Sequence, residues 1–202
     1  MKPALERIPH WLTTSLQGLV FWIGYKRSLY KDYPLSEGAL VTELRSLIHA
    51  NLPDELFLKC EVGYSKLCKG LARPAPIAGR TRADFVVASK VESDNSPKGW
   101  KYIPQYVCEL KRSEAPARLI DQDIKQLAAF QSVRPGARSF LIVLSETTRH
   151  DRFVTEKGTT RVATHAVPGF AGTYSVRRTL KAASAYTNRD IANYGTIVEV
   201  RA

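Results

Sequence analysis

The sequence predicts an α/β fold in which one mixed sheet is flanked by helices. Short apolar or β-branched runs at 56–64, 83–89 and 106–112 predict three successive strands, and we expect the second and third to be antiparallel neighbours. A helical pattern over 119–133 then precedes the almost wholly apolar run 139–144. Such a run after a helix is typical of a buried strand in parallel pairing, so a helix and a fourth strand complete the predicted core.

Two helices are predicted before the first strand. Residues 5–30 repeat apolar side chains at helical spacing, and we expect this helix to pack on the core or on a partner rather than to act as a signal peptide. Ser36 can cap a second helix that runs to about residue 50. The apolar stripes of the two helices are Trp11, Leu12, Leu16, Leu19, Val20 and Ile23, and Leu40, Leu44, Leu47 and Ile48.

The chain is expected to form a single domain over 1–202. Residues 1–35 are a helical extension, 36–146 the core, and 147–202 a basic α+β addition. Within the core, 65–80 is predicted to be a loop. In the addition, 152–163 is predicted to form a hairpin turning near Gly158, 175–186 a helix and 196–200 a last strand.

The charge points to a polyanionic partner. The net charge is +11. Residues 1–36 contain five basic and two acidic residues, and residues 152–202 contain eight basic and three acidic residues. The segment 37–151 is nearly balanced, with seventeen basic and fourteen acidic residues. Nucleic acid is the simplest partner for such a balance, although a merely soluble basic protein would look similar. No apolar run reaches the ~20 residues of a membrane span. Three cysteines without paired spacing favour a reducing compartment, so we expect a cytoplasmic protein without membrane partners.

One predicted strand carries two charges on the same face. Alternation places Glu109 and Lys111 together, either as a solvated ion pair or in a cleft where buried charges need partners. Asp84 begins the neighbouring strand and can converge with Glu109 on one cation. Carboxylate oxygens favour Mg²⁺ or Mn²⁺, so these two acids are candidate metal ligands.

Asp84 followed by Glu109-Leu110-Lys111 resembles the motif of the PD-(D/E)XK nuclease superfamily, which has the restriction-endonuclease-like fold. The order helix, three-strand meander, helix, strand over 37–146 is similar to that family's core. Glu43 matches the acid of its first helix. Gln126-Leu-Ala-Ala-Phe130 resembles the Gln-x-x-x-Tyr motif of the RecB-type branch, with Phe130 in place of the tyrosine.

The resemblance implies a metal-dependent endonuclease that hydrolyses DNA phosphodiester bonds. Asp84, Glu109, the Leu110 carbonyl and Glu43 would hold Mg²⁺, for which Mn²⁺ could substitute. Lys111 would orient the attacking water or stabilise developing charge, and Gln126 would position Lys111 or the phosphate.

The remaining expectations concern how DNA is held and what else the chain could be. Homodimerisation or a partner subunit is a hypothesis, since two antiparallel strands match a two-fold axis. The rival hypotheses are an inactive nucleic-acid-binding module and a protein-interaction module that uses the apolar stripe of the first helix. Candidate contacts to the nucleic-acid backbone are Arg80, Arg82, Arg177, Arg178 and Lys181.

Overall fold

The computed structural model describes residues 6–29, 35–69, 71, 81–93, 99–146, 149–183 and 192–202, which contain four helices and seven strands. The helices are α1 (His10–Leu29), α2 (Glu37–Asn51), the single turn α3 (Tyr64–Leu67) and α4 (Ala117–Val133). The strands are β1 (Leu56–Gly63), β2 (Arg82–Glu92), β3 (Trp100–Arg112), β4 (Arg138–Ser145), β5 (Thr164–Ala166), β6 (Thr173–Ala183) and β7 (Ala192–Arg201).

The seven strands of the described chain form one mixed sheet in the order β1-β2-β3-β4-β7-β6-β5. β1, β2 and β3 pair antiparallel, which confirms the predicted meander. β3 and β4, which are connected through α4, pair in parallel, as the apolar run indicated. β7 pairs antiparallel with both β4 and β6, so the C-terminal segment extends the sheet of the core. The predicted α/β class is therefore confirmed.

Helices cover both faces of this sheet. Leu127 of α4 lies in the same apolar cluster as Val107 of β3 and Leu141 of β4. Leu44 of α2 shares a second cluster with Cys108, on the opposite face. Successive residues of a strand point to opposite faces, so Val107 and Cys108 mark the α4 face and the α1–α2 face of the sheet.

The apolar stripe of α1 is part of the core. Its six residues, Trp11 through Ile23, are each at most 4% exposed. α1 packs against α2, β6 and β7. This burial removes the surface on which the protein-interaction hypothesis rested, since the stripe has no free face to offer a partner. None of the helices in the described part of the chain is long and apolar enough to cross a membrane.

The helix boundaries agree with the sequence patterns at the points that matter for the site. The Ser36 side chain accepts a hydrogen bond from the Ala39 N–H at 3.2 Å, as predicted for the cap of α2. α1 begins at His10, directly after Pro9, rather than at residue 5. β3 begins at Trp100 and is six residues longer than predicted.

The prediction of a helix over 175–186 is wrong. Residues 175–183 belong to β6, and 184–186 lie outside the described residues. Tyr174 and Val176 are buried on the α4 face, and Leu180 and Ala182 on the α1–α2 face, on either side of a register shift between Val176 and Arg178. Within each pair the spacing of two residues is the period of a strand. The prediction was wrong because the sequence Leu-Lys-Ala-Ala at 180–183 favours a helix locally, whereas pairing with β7 stabilises a strand. In the segment 152–163, which was predicted to be a hairpin, one antiparallel bridge joins Val154 to Thr160, and the chain turns at Gly158.

A substitution at Gly195 can test how closely α1 packs against β7. A Cβ added at Gly195 would lie 2.7 Å from Val20 Cγ2 and 2.9 Å from Leu16 Cδ1. We expect Gly195→Ala to lower the free energy of unfolding by about 1–3 kcal/mol through overpacking. Chemical denaturation measures this, with Gly136→Ala as the control, since a Cβ there meets nothing within 4 Å. Equal stabilities of the two variants would contradict the packing described for α1.

Candidate active site

β2 and β3 bring Asp84 and Glu109 together. Phe85 is paired with Cys108 and Val86 with Val107. Continued by one residue, this antiparallel register places Asp84 opposite Glu109. The Leu110 N–H donates a hydrogen bond of 2.7 Å to Asp84 Oδ2. Glu109 and Lys111 alternate with Leu110 and lie on the face that α4 covers. The charged face of this strand therefore lies under α4 and not in open solvent, and we refer to this region between β3 and α4 as the cleft.

The Glu109 carboxyl is almost fully buried, with 4% of the residue exposed. Its Oε1 accepts hydrogen bonds from the Tyr64 hydroxyl at 2.7 Å and from Gln126 Nε2 at 3.4 Å. Burial raises the pKa of Glu109 well above its usual range, and the neighbouring Asp84 raises it further, while the Tyr64 hydrogen bond opposes both. A carboxyl in this setting needs a proton or a cation to lower the cost of its burial.

Lys111 lies between two carboxylates. Its Nζ is 3.0 Å from Glu37 Oε1 and 3.5 Å from Asp123 Oδ2. Burial alone would lower the pKa of Lys111, but Asp123 and Glu37 outweigh it and leave that pKa raised. Burial raises the pKa of Asp123 to about 6, against the effect of Lys111. Lys111 is therefore a fixed ammonium group at neutral pH, held at the edge of the cleft.

The two central carboxyls fit a divalent cation in their chemistry. Burial raises the pKa of Asp84 despite the Leu110 N–H and Lys111, and its carboxyl is within hydrogen-bonding reach of Glu109. Two carboxyls so close share a proton when no cation separates them, and a hard cation can take that place. In the described part of the chain, no set of three or more His, Cys, Asp or Glu side chains is arranged to hold a metal ion. Protein ligation would thus rest on two carboxylates and a backbone carbonyl, with water or substrate completing it.

Three members of this cluster were not predicted. Asp123 precedes Gln126 by three residues, so helical spacing could have placed it on the same face of α4. Glu37 is the first residue of α2, next to the predicted cap. Nothing in the sequence pointed to Tyr64. It is brought to Glu109 by the turn α3, its ring packs edge-on against Phe130 at 5.9 Å, and its N–H donates to Thr81 O.

The structure does not bring Glu43 to the cluster. α2 carries Leu44 into the opposite face of the sheet, and only its first turn reaches Lys111, through Glu37. Glu37 therefore occupies the place on this helix that was expected for Glu43. Arg82 is the exposed first residue of β2 and alternates onto the face of Asp84. Arg80 lies outside the described residues.

The three basic residues that were predicted to form a cluster in the C-terminal segment lie in three different environments. Arg177 is largely buried, pairs with Glu199 and donates to Glu6 O at 2.7 Å, so it anchors the segment before α1 and cannot follow a nucleic-acid backbone. Arg178 is exposed and pairs across the sheet with Ile197 of the α1–α2 face. Lys181 lies over the ring of Tyr194, which belongs to the α4 face. The strand structure of β6 separates residues that a helix would have grouped.

Glu199 is the second deeply buried glutamate, and its surroundings are the opposite of those of Glu109. It is 2% exposed and forms ion pairs with three arginines, Arg138 at 2.9 Å, Arg201 at 3.4 Å, and Arg177. Its charge is therefore compensated within the fold. Glu109 has a hydroxyl and an amide as its hydrogen-bond partners and a carboxyl beside it.

Comparisons of the chain with protein-family models, with curated proteins and with solved structures each found no match. The assignment of a function therefore rests on the geometry of the cluster itself.

The contrast between the two glutamates gives a stability test. Because the pKa of Glu109 is raised in the folded state, the fold binds this proton more tightly than the unfolded chain, and stability falls as pH rises towards that pKa. Glu109→Gln cannot ionise, so we expect it to unfold with a free energy higher by about 1–2 kcal/mol at pH 8 and with a weaker pH dependence. Denaturant unfolding between pH 5 and pH 8, a range that lies above the pKa of about 4.3 of a glutamate in the unfolded chain, measures both effects.

Glu199→Gln is the matched control. It removes a carboxylate that is equally buried but paired with arginines, so we expect a loss of about 3–5 kcal/mol at every pH in that range. Destabilisation of similar size in both variants would mean that Glu109 is compensated within the fold as fully as Glu199.

Proposed function

We propose that this chain is a metal-dependent DNA endonuclease of the PD-(D/E)XK type. The observation that carries the proposal is the pair Asp84 and Glu109, which meet on adjacent strands as a half-buried and a buried carboxyl, both with raised pKa values. Lys111 projects from the same face two residues later, held by Glu37 and Asp123. Perturbed acids and a fixed ammonium group in one cleft are typical of a catalytic site.

The topology around the cluster supports the proposal. A helix, an antiparallel meander, a crossover helix and a parallel strand follow one another as α2, β1–β3, α4 and β4. The Asp and the Glu-x-Lys triplet lie on the second and third strands of the meander, as in the motif that the sequence resembles. We therefore propose a restriction-endonuclease-like core, to which β6 and β7 add an antiparallel extension.

Asp84, Glu109 and the Leu110 carbonyl would hold Mg²⁺ or Mn²⁺. When bound, such an ion polarises a phosphate oxygen and acidifies a coordinated water. Tyr64 and Gln126 hold the Glu109 carboxyl in one orientation by donating to the same oxygen, which leaves the other oxygen to face Asp84 or a ligand. The Leu110 N–H fixes Asp84 in the same way. These hydrogen bonds preorganise the two acids before a ligand arrives.

Lys111 acts as a positive charge and not as a base. Its pKa is raised by Asp123 and Glu37, so it stays protonated at neutral pH. A protonated amine beside the two acids can stabilise the negative charge that develops on the phosphate and on the leaving oxygen. Glu37 and Asp123 hold it at the edge of the cleft, where a substrate phosphate can replace one of the two pairs.

DNA is the proposed partner, and the cytoplasm is the proposed location. The net charge of +11 favours a polyanion, and the free thiols Cys60, Cys68 and Cys108 fit a reducing compartment. Homodimerisation stays a prediction, to be checked by light scattering with and without DNA.

DNA cleavage in the presence of Mg²⁺, Mn²⁺ or EDTA tests the activity on linear, circular and branched substrates. We expect metal-dependent cutting by the wild type, and rates reduced by about 10²-fold or more in Asp84→Asn, Glu109→Gln and Lys111→Ala. Glu92→Gln, at the exposed end of β2, is the charge-matched control for the acid variants and should cut like the wild type.

Calorimetric titration with Mn²⁺ separates binding from chemistry in the same variants. We expect Asp84→Asn and Glu109→Gln to lose Mn²⁺ binding, whereas Lys111→Ala keeps it. A wild type that neither binds Mn²⁺ nor cuts any of the substrates would overturn the nuclease proposal and favour the nucleic-acid-binding module.

A further inference from the structure

A cavity of about 530 Å³ lies on the β1–β2–β3 meander, beside α3 and the end of α4. Val86, Ala88 and Pro104 form part of its lining on the sheet, and Leu67 of α3 forms part of its wall. The cavity is separate from the cluster of Asp84 and Glu109, neither of which lines it. It has no part in the site described above.

Five cationic side chains line this cavity. They are Lys59, Lys66, Lys69, Lys101 and Arg134, and we call this feature the basic cavity. No acidic residue occurs among the described residues that line it. Five like charges around one opening repel one another, and a bound polyanion would lower that repulsion. All five come from the central segment of the chain, whose overall charge is nearly balanced, so the fold has concentrated the cations there.

Two of the cations are held in place by the protein. Lys59 Nζ lies 3.3 Å from the centroid of the Tyr102 ring, a cation–π contact that fixes the ammonium over the sheet. Arg134 Nε donates to Leu67 O at 3.3 Å at the end of α4. Lys66, Lys69 and Lys101 are exposed around them. The cavity therefore combines two cations held by the protein with three exposed cationic side chains.

The basic cavity is on the same face of the sheet as the candidate active site. Val86 pairs with Val107 of the α4 face, and a register shift between Val87 and Ala88 brings Ala88 opposite Pro104. The shift turns Pro104 towards the face that carries Glu109. Pro104 and Glu109 are five residue steps apart along β3, or about 17 Å at ~3.3 Å per residue. That distance equals roughly five base-pair steps at ~3.4 Å.

We propose that the basic cavity binds the sugar–phosphate backbone of DNA that continues past the candidate active site. The inference rests on the proposed function for its substrate, but the binding it describes needs neither metal nor cutting. A polymer with one phosphate per nucleotide supplies anions at the spacing that several separated cations require. A single phosphate can contact only some of the five cations that line the cavity.

The test is DNA binding without metal, so that no cleavage takes place. Fluorescence anisotropy in EDTA follows labelled single-stranded and duplex DNA over a range of salt concentrations. We expect Lys66→Glu/Lys101→Glu to bind DNA at least tenfold more weakly than the wild type. The slope of log affinity against log salt concentration should be smaller than that of the wild type by an amount that corresponds to about two phosphate contacts. Lys66→Gln/Lys101→Gln should show the same trend with a smaller loss.

The matched control is Lys157→Glu/Arg161→Glu, which makes the same change in net charge at exposed positions near β6, away from the meander. We expect this control to lose less than threefold in affinity and to keep the salt dependence of the wild type. Thermal unfolding of each variant shows that the charge changes leave the fold intact. Inorganic phosphate in large excess should compete only weakly with DNA.

Equal losses in the cavity and control variants would overturn the inference, and so would a wild type that binds no DNA. Displacement of DNA by inorganic phosphate at the concentration that saturates the cavity would also overturn it, in favour of a small-anion site. Metal-dependent cutting together with unchanged DNA affinity in the cavity variants would overturn this inference alone. Selective loss of DNA binding without any cutting by the wild type would leave the inference standing and remove the nuclease proposal.

Discussion

The parallel pairing of β3 with β4 determines where the charged residues of β3 lie. A parallel neighbour requires a crossover connection, and here that connection is α4, which packs across the face that β3 and β4 present to it. Glu109 and Lys111 are on this face, so they contact the side chains of a helix. On an edge strand without a covering helix, the same two residues would be exposed to water. The burial of Glu109, the ion pair of Lys111 with Asp123, and the contact with Gln126 all follow from this one arrangement.

The fold separates charges that are mixed along the chain. Carboxyls gather where β2 and β3 pass beneath the middle of α4, and cations gather over the other half of the same strands. On β7, two strands from β3, Glu199 is neutralised by Arg138, Arg177 and Arg201, so that site is complete in itself. The groups that donate hydrogen bonds to Asp84 and Glu109 are neutral, and no acid occurs among the described residues that line the basic cavity. A ligand of opposite charge would stabilise each of these two groups of side chains.

Residues on regular strands were the most predictable part of the site. Glu109 and Lys111 could be placed because alternation along a strand fixes which side chains share a face, and Asp84 because it begins the neighbouring strand. Gln126 was predicted from the resemblance to the RecB-type motif, and it contacts Glu109. Glu43 was expected and Glu37 observed, because the angle of α2 to the sheet decides which of its turns reaches Lys111. The helix predicted over 175–186 was wrong since pairing with β7 outweighs local helix propensity. Tyr64 could not be found because its position depends on where the single turn α3 packs.

The sequence by itself determined the α/β class, the individual strands of the meander, the buried strand after α4 and the shared face of Glu109 and Lys111. These features follow from local periodicity, which each segment of the chain carries independently of the others. Only the tertiary structure decided that Tyr64, Glu37 and Asp123 complete the cluster, that Arg177 is a structural ion pair, and that five cations from a nearly neutral segment surround one cavity. The physical reason is that contacts between distant segments depend on helix angles, on a register shift in β3 and on packing across the sheet, none of which a local pattern specifies.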